Sequence, residues 1–220
     1  MTTVAFLGLG NMGAPMSGNL VNAGYSVRGF DPAPGARQAA ADKGVTLSDT
    51  GAAAVAPAAK PGTLFIDSST IAVDDARAVH AYAGDRGFAQ LDAPVSGGVK
   101  GAVAGTLAFM VGGAPEALET ARPVLDAMAG KIIHCGDSGA GQAAKLCNNM
   151  LLAVQQIAVG EAFVLAQKLG LSAQSLFDVI TGATGNCWAV HTNCPVPGPV
   201  PTSPANNDFK PGFATALMNK

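Results

Sequence analysis

The 220-residue sequence predicts an α/β fold, a doubly wound parallel sheet followed by an all-helical second domain that is incomplete in this chain. Short apolar runs alternate with segments of helical periodicity through residues 1–140, as strands and helices do in βαβ units. Glycine is frequent (28 residues) and aromatic residues are few (5%), which suits helices packed closely on a sheet. A long apolar helical pattern then opens residues 141–220, the predicted second domain.

The first three elements form one βαβ unit. Residues 4–7 are an apolar run without alternation, as in a central parallel strand that is buried on both faces. Apolar residues at helical spacing follow over residues 11–23, and Gly24 ends that pattern. Residues 25–30 predict a second strand, which ends at Asp31.

The later elements are less regular. No strand of useful length is predicted between Pro34 and Ala59. Residues 142–169 predict one helix with apolar residues on every side, which indicates burial nearly all round. A proline-rich segment at residues 194–204 predicts an ordered loop or a linker, and the second domain looks too short to close a core. Further strands are predicted at residues 64–67, 88–92, 107–111 and 131–134, and further helices at residues 73–86, 115–128 and 174–181.

Composition excludes several classes of partner. Charged residues make up 13% of the chain and the formal net charge is −2, so the chain lacks the positive charge that nucleic acids and anionic membranes attract. The four cysteines form no C-x-x-C pair, and the three histidines share no ligand spacing, so we expect reduced thiols and no metal. With no leader pattern before the first strand, we expect a cytoplasmic protein without a nucleic-acid or membrane partner.

The candidate cofactor site is the turn between the first strand and the first helix. Gly8 permits a tight turn, Gly10 lets the backbone approach a pyrophosphate, and Gly13 permits close packing of helix and strand. Asp31 is placed to accept hydrogen bonds from ribose hydroxyls and to repel a 2′-phosphate. The pattern therefore predicts a Rossmann-type site for NAD, although a glycine-rich turn without a ligand is the alternative. The cofactor-binding residues of this turn are Gly8, Leu9, Gly10, Asn11, Met12 and Gly13.

Two further segments carry possible chemistry. Ser96, Gly97 and Gly98 follow a predicted strand and offer a hydroxyl and open N–H groups to a carboxylate, although a plain turn is the commoner interpretation. Lys145 and Asn149 are four residues apart near the start of the long helix and so share a face. The helix N-terminus and burial both lower the pKa of a lysine, which suits proton exchange, while a snorkelling surface lysine is the alternative.

Four segments together resemble the 3-hydroxyisobutyrate dehydrogenase family of the β-hydroxyacid dehydrogenases. The segments are residues 6–16 (FLGLGNMGAPM), 67–70 (DSST), 92–98 (DAPVSGG) and 139–149 (GAGQAAKLCNN). Residues 185–188 and the proline-rich loop resemble the helical domain of the valine-catabolism enzymes, so the resemblance covers almost the whole chain.

The resemblance implies a role for each candidate residue. Lys145 takes the proton from the substrate hydroxyl, and Asn149 holds the substrate in line. Thr70 and Lys220 lie near the cofactor. The carboxylate of the substrate is bound by the three loop residues Ser96, Gly97 and Gly98.

The resemblance further implies NAD-dependent oxidation of 3-hydroxyisobutyrate to methylmalonate semialdehyde, in a homodimer or homotetramer. A tartronate or succinic semialdehyde reductase of the same family remains open, because the carboxylate loop says little about the other end of the substrate. A non-catalytic dinucleotide-binding protein also remains open, but it would need neither Lys145 nor Asn149.

The sequence departs from the family pattern in its length. Only 35 residues separate Asp31 from Asp67, where the family has a further strand and helix. We therefore expect a chain break near Val55 and Ala56, with a Cα–Cα step well above the roughly 3.8 Å of a trans peptide, and further residues after Lys220. Continuous geometry over residues 51–62 would instead indicate a naturally shortened relative and would withdraw the claim of catalytic competence.

Overall fold

The computed structural model describes residues 2–210 and divides into two compact units, Met1–Lys145 and Leu146–Lys220. The predicted cofactor residue Lys220 lies outside the described residues. The strands of the first unit are β1 Thr3–Leu7, β2 Ser26–Phe30, β3 Thr46–Leu47, β4 Leu64–Asp67, β5 Ala89–Asp92, β6 Val95–Ser96, β7 Leu107–Gly112 and β8 Ala129–Gly136. The helices are α1 Gly13–Asn22, α2 Pro34–Ala41, α3 Gly51–Val55, α4 Val73–Gly84, α5 Gly98–Ala104, α6 Pro115–Asp126, α7 Ala140–Lys168, α8 Ala173–Gly182 and α9 Trp188–Thr192.

The predicted α/β class is confirmed, but the strands of the first unit form two sheets. In the first sheet β1 pairs with β2 and β2 with β3, all in parallel. In the second sheet β4 pairs with β5 in parallel and β7 with β8 in parallel, whereas β7 runs antiparallel to β5 and β6. Within residues 2–210, β1 and β4 do not pair with each other, so the two sheets are separate.

One hydrophobic core joins the two sheets. Leu9 and Leu20 from the first half and Phe109 from the second half belong to the same cluster, and none of the three is exposed. The Asn19 side chain donates a hydrogen bond to the carbonyl of Ala102 (2.8 Å), which ties α1 to α5. The first unit is therefore a single packed body despite its divided sheet.

The break expected near Val55 and Ala56 stays a prediction, and residues 50–59 form a short capped helix and a turn. The Thr50 hydroxyl accepts a hydrogen bond from the Ala53 N–H (3.0 Å) and caps α3. The N–H of Ala56 donates to Ala52 and that of Ala59 donates to Val55, both at 2.9 Å. An alanine-rich run after a threonine cap thus forms a short helix followed by a turn. The expectation of residues beyond Lys220 lies outside the described residues.

Helix α7 is much more exposed than predicted. Its side chains Leu146, Met150, Val154 and Ile157 are each about 60% exposed or more. By length and composition α7 could also span a membrane, since its 29 residues include a window of mean hydropathy 1.4. Apolar residues on every side of a helix favour its burial, but burial also requires other elements that cover the helix. The elements within residues 2–210 cover only part of α7.

The second unit closes a small core, contrary to the expectation. Val159 and Phe163 of α7 pack with Val190 of α9 and with Cys194 and Val200. The proline-rich segment is an ordered loop. Its Ser203 hydroxyl donates to the carbonyl of Cys194 (2.6 Å), and the Asn206 side chain donates to the carbonyl of Val200 (2.8 Å).

Candidate active site

The glycine turn connects β1 to α1 with an open backbone. Gly8 has a φ of 88°, a conformation that favours glycine, and its N–H donates to the carbonyl of Phe30 (2.9 Å). A Cβ on Gly13 would overlap the carbonyl oxygen of Gly8, so only glycine fits there. A Cβ on Gly10 would meet no atom within 4 Å, so space for a ligand lies beside that residue. Leu9 is buried in the core, whereas Asn11 is exposed and Met12 half-buried.

Asp31 fixes the turn to the end of β2. One of its carboxylate oxygens accepts a hydrogen bond from the N–H of Leu9 (2.7 Å), and the other accepts from the N–H of Ala33 (2.8 Å). Each oxygen keeps a lone pair for a further donor. The half-buried carboxylate can therefore hold the turn and still accept from a ribose hydroxyl.

These residues fit NAD. The turn supplies open backbone N–H groups at the start of a helix, where a pyrophosphate is stabilised. The negative charge of Asp31 next to the turn favours a ribose with free hydroxyls over one that carries a 2′-phosphate.

The candidate substrate loops leave neighbouring strand ends. Asp67 at the end of β4 is the register partner of Asp92 at the end of β5. Thr70 lies in the loop after β4 and is exposed. Ser96 is half-buried in β6, opposite Ala108 of β7.

Two glycines follow Ser96 and lead into α5. Gly97 and Gly98 are exposed and have φ values of 130° and 60°, a region that favours glycine. The hydroxyl of Ser96 and the two exposed glycines thus lie in consecutive residues, an arrangement that suits a carboxylate.

The buried carboxylate of Asp92 organises the start of α7, a role that the sequence did not predict. Asp92 is fully buried and accepts hydrogen bonds from the N–H groups of Gly139 (2.7 Å) and Gln142 (2.9 Å). A negative group at a helix N-terminus is stabilised by the helix dipole and satisfies N–H groups that have no partner within the helix. A Cβ on Gly112 or on Gly141 would collide with this aspartate.

Gln142 connects the same helix turn to the loop after β4 and was also not predicted. Its side chain, 2% exposed, donates to the carbonyl of Ser69 (2.7 Å) and accepts from the N–H of Ile71 (3.2 Å). Both residues flank Thr70, so Gln142 determines where that loop lies relative to α7.

Lys145 is three residues after Gln142 and on the same face of α7. It is partly buried, and burial lowers its pKa below the ordinary value of a lysine, the predicted direction. A lowered pKa increases the fraction of the lysine that is a neutral amine at a given pH, and a neutral amine accepts a proton.

Asn149 is four residues after Lys145 on α7, in the second unit. Its side chain is exposed and accepts a hydrogen bond from the Asn148 side chain (3.4 Å). The role of Asn149 toward a substrate stays a prediction.

The fold and the glycine turn define a class, the NAD-binding oxidoreductases with a Rossmann-type unit followed by a helical region. A family model described as the NAD binding domain of 6-phosphogluconate dehydrogenase matches residues 3–58 and 49–136. A second model, described as NAD-binding of NADP-dependent 3-hydroxyisobutyrate dehydrogenase, matches residues 139–220.

The chain belongs to the 3-hydroxyisobutyrate dehydrogenase family and is an NAD-dependent dehydrogenase. It is 70% identical to a Mycobacterium tuberculosis protein named a probable 3-hydroxyisobutyrate dehydrogenase, with 100% of this chain and 83% of that protein covered. A solved Mycobacterium tuberculosis 3-hydroxyisobutyrate dehydrogenase with L-serine superposes with a TM-score of 0.93, at 70% identity and with the same coverage of both chains. An NAD-dependent L-serine dehydrogenase of Pseudomonas aeruginosa is 43% identical, again over 100% of this chain and 83% of the relative.

This chain lacks residues that the relative has within the aligned region. The alignment with the Mycobacterium tuberculosis protein has 243 positions against 220 residues here, a difference of 23 residues that only the relative has. The NAD-domain model matches residues 49–58 in both of its segments, which locates the difference at α3. This is the place near Val55 and Ala56 where the sequence predicts that residues of the family pattern are absent.

Proposed function

We propose that this chain oxidises a small 3-hydroxy acid with NAD, and that the substrate is 3-hydroxyisobutyrate, which gives methylmalonate semialdehyde, a step of valine catabolism. The observation that carries the proposal is the partly buried Lys145, with its lowered pKa, one turn after a helix start that Asp92 and Gln142 hold. The other support is the name that the relatives share.

The chemistry divides between the cofactor and the protein. NAD, when bound, supplies the acceptor for the hydride from the carbinol carbon. The neutral amine of Lys145 accepts the proton of the substrate hydroxyl at Nζ. Ser96, Gly97 and Gly98 bind the carboxylate through a hydroxyl and backbone N–H groups, which orients the hydroxyl-bearing carbon.

Asp92 and Gln142 take no part in the proton transfer. Their hydrogen bonds position the helix turn that carries Lys145. Asn149 and Thr70 are proposed to orient the substrate and the cofactor.

L-serine is a second candidate substrate. It has the same carboxylate and the same hydroxyl on C3, and it differs at C2, where an ammonium group replaces a methyl group. A 43% identical relative is named an L-serine dehydrogenase, and the 70% identical solved relative was obtained with L-serine. Nothing in the carboxylate loop distinguishes the two acids.

A substrate panel tests the proposal. Turnover by this chain is the first quantity to measure, because the chain lacks residues that the relative has at α3. The panel contains 3-hydroxyisobutyrate and L-serine with NAD or NADP, and tartronate semialdehyde and succinic semialdehyde with NADH or NADPH. It compares kcat/KM from the gain or loss of absorbance of the reduced nicotinamide. The highest kcat/KM for 3-hydroxyisobutyrate with NAD supports the proposal. A higher kcat/KM for serine or for a semialdehyde would make that compound the substrate instead. No turnover with any of the four compounds would contradict the proposed reaction.

We also propose a homodimer or homotetramer in the cytoplasm, with no membrane partner. The exposed apolar side chains of α7 support self-association, because uncovered apolar surface of this kind marks contact with other protein. Light scattering after gel filtration tests the oligomer, and a monomeric mass would contradict it.

A further inference from the structure

Lys131 lies on the same face of its sheet as Ser96. Ser96 of β6 is the register partner of Ala108 in β7, and Ala108 is the register partner of Lys131 in β8. Neighbouring strands are about 4.8 Å apart, so the Cα atoms of Ser96 and Lys131 are separated by about 10 Å. The shared face points away from the core, because the next residue of β7, Phe109, is fully buried in the core while Lys131 is exposed.

Lys100 follows the carboxylate loop directly and is also exposed. Gly98 begins α5 and Lys100 is two residues later, so the two Cα atoms are less than one helical turn apart. Because the lysine stem is roughly 6 Å long, the ammonium of Lys100 lies within about 12 Å of Gly98 in any rotamer. That distance is well inside the Debye length, which is about 30 Å at an ionic strength of about 0.01 M.

Acidic groups lie away from these two lysines. The elements that pack against α5, which are α1 and β7, contain no charged residue. Helix α6 carries acidic residues and packs against β8, but its Leu118 and Leu125 are buried in the core, so it covers the face opposite Lys131. Asp92 is fully buried, and its register partner in β7 is four residues, about 13 Å, from that of Ser96. Within residues 2–210, neither lysine forms an ion pair.

We propose that Lys100 and Lys131, the lysine pair, determine which charge the substrate carries. The pair makes the loop bind an anionic 3-hydroxy acid in preference to a zwitterionic amino acid. The inference rests on the proposed function, because it takes residues 96–98 as the carboxylate site. It adds two residues that select between 3-hydroxyisobutyrate and L-serine, a choice that the loop itself does not make.

The selection follows from the net charges of the two acids. Both carry a carboxylate that the lysine pair attracts, but serine also carries an ammonium on C2, which the pair repels. For serine, attraction and repulsion nearly cancel. For an anion about 8 Å away in water, one unit charge changes the affinity about twofold, so two independent lysines change it about fivefold. The pair contacts no reacting atom, so its effect falls on binding and KM rather than on kcat.

Calorimetric titration of the full chain in the presence of NAD tests the proposal with two probes. Isobutyrate is 3-hydroxyisobutyrate without its hydroxyl, and L-alanine is L-serine without its hydroxyl, so neither probe can be oxidised at that position. The variants are Lys100→Gln, Lys131→Gln and the double variant. At an ionic strength of about 0.01 M, we expect each single variant to raise the Kd of isobutyrate about twofold and the double variant about fivefold. The Kd of L-alanine should change less than twofold.

Three controls separate charge from structure. Lys168→Gln makes the same change of net charge about 35 Å from Lys145 along α7 and should leave both Kd values unchanged. Lys100→Arg and Lys131→Arg keep the positive charge and should keep the Kd of isobutyrate. At an ionic strength of about 0.5 M, screening should remove the difference between the natural chain and the double variant, which a merely structural role of the lysines would not do.

An unchanged Kd of isobutyrate in the double variant would overturn the proposal, as would no binding of isobutyrate by the natural chain. An equal rise in the Kd of L-alanine, or a rise that salt does not remove, would show damage to the loop and would also overturn it. NADH formation from 3-hydroxyisobutyrate in the same samples reports on the proposed reaction separately. Charge-dependent binding without NADH supports the lysine pair and contradicts the reaction, and NADH formation with charge-independent binding does the reverse.

Discussion

Replacement of Asp92 by alanine tests the buried carboxylate at the start of α7. The change leaves the N–H groups of Gly139 and Gln142 without acceptors in a buried place. A buried donor that loses its partner costs about 1–3 kcal/mol, so Asp92→Ala should lower the free energy of unfolding by about 2–6 kcal/mol. That is a large part of the roughly 5–15 kcal/mol that holds a domain folded.

The assay is urea unfolding followed by circular dichroism, with amide exchange of Gln142 as a local readout. Asp92→Asn keeps one acceptor oxygen but turns an NH2 group toward a backbone N–H. It should therefore lower the free energy of unfolding, but by less than Asp92→Ala does. Asp137→Ala, an exposed aspartate just before the same helix, is the matched control and should change little. A loss below about 1 kcal/mol for Asp92→Ala would refute the claim that its two hydrogen bonds hold the helix start.

Three further outcomes follow from the site. Since burial lowers the pKa of Lys145 and the neutral amine is the base, kcat/KM for oxidation should rise with pH and level off below the ordinary titration range of lysine; a profile that still rises through that range would contradict this. Ser96→Ala should raise KM for the hydroxy acid and leave the Kd of NAD from calorimetry unchanged, whereas the opposite pattern would assign Ser96 to the cofactor. Asp31 should make kcat/KM higher with NAD than with NADP, and Asp31→Asn should narrow that ratio; an unchanged ratio would exclude Asp31 as its cause.

Local patterns predicted most of the elements of the first unit. The glycine turn, the strand before it and the helix after it follow from three glycines, an apolar run and helical spacing, all within residues 4–23. The two-residue strand β3 was missed because Thr46 and Leu47 are too few to show a period. Helix α5 was missed because Gly97 and Gly98 were taken as a turn, whereas Gly98 begins a short helix.

Local sequence patterns could not predict contacts between distant residues or which elements cover a helix. Asp92 lies 47 residues before Gly139, so its role in α7 depends on how the chain folds back and has no signature in spacing. Gln142, a polar residue in the first turn of an otherwise apolar helix, was the available signal for a buried bridge to Ser69. The exposure of α7 depends on which elements cover the helix, and apolar periodicity does not report that.

The most direct test of the proposed reaction is single-turnover formation of NADH from 3-hydroxyisobutyrate by the natural chain and by Lys145→Met. Lys168→Met, which removes an exposed lysine from the same helix, is the matched control. We predict that the natural chain and the control form NADH at the same rate, while Lys145→Met binds NAD normally and is slower by on the order of a hundredfold. Equal rates for Lys145→Met and the natural chain would contradict the assignment of Lys145 as the base, and no NADH from the natural chain would contradict the reaction itself.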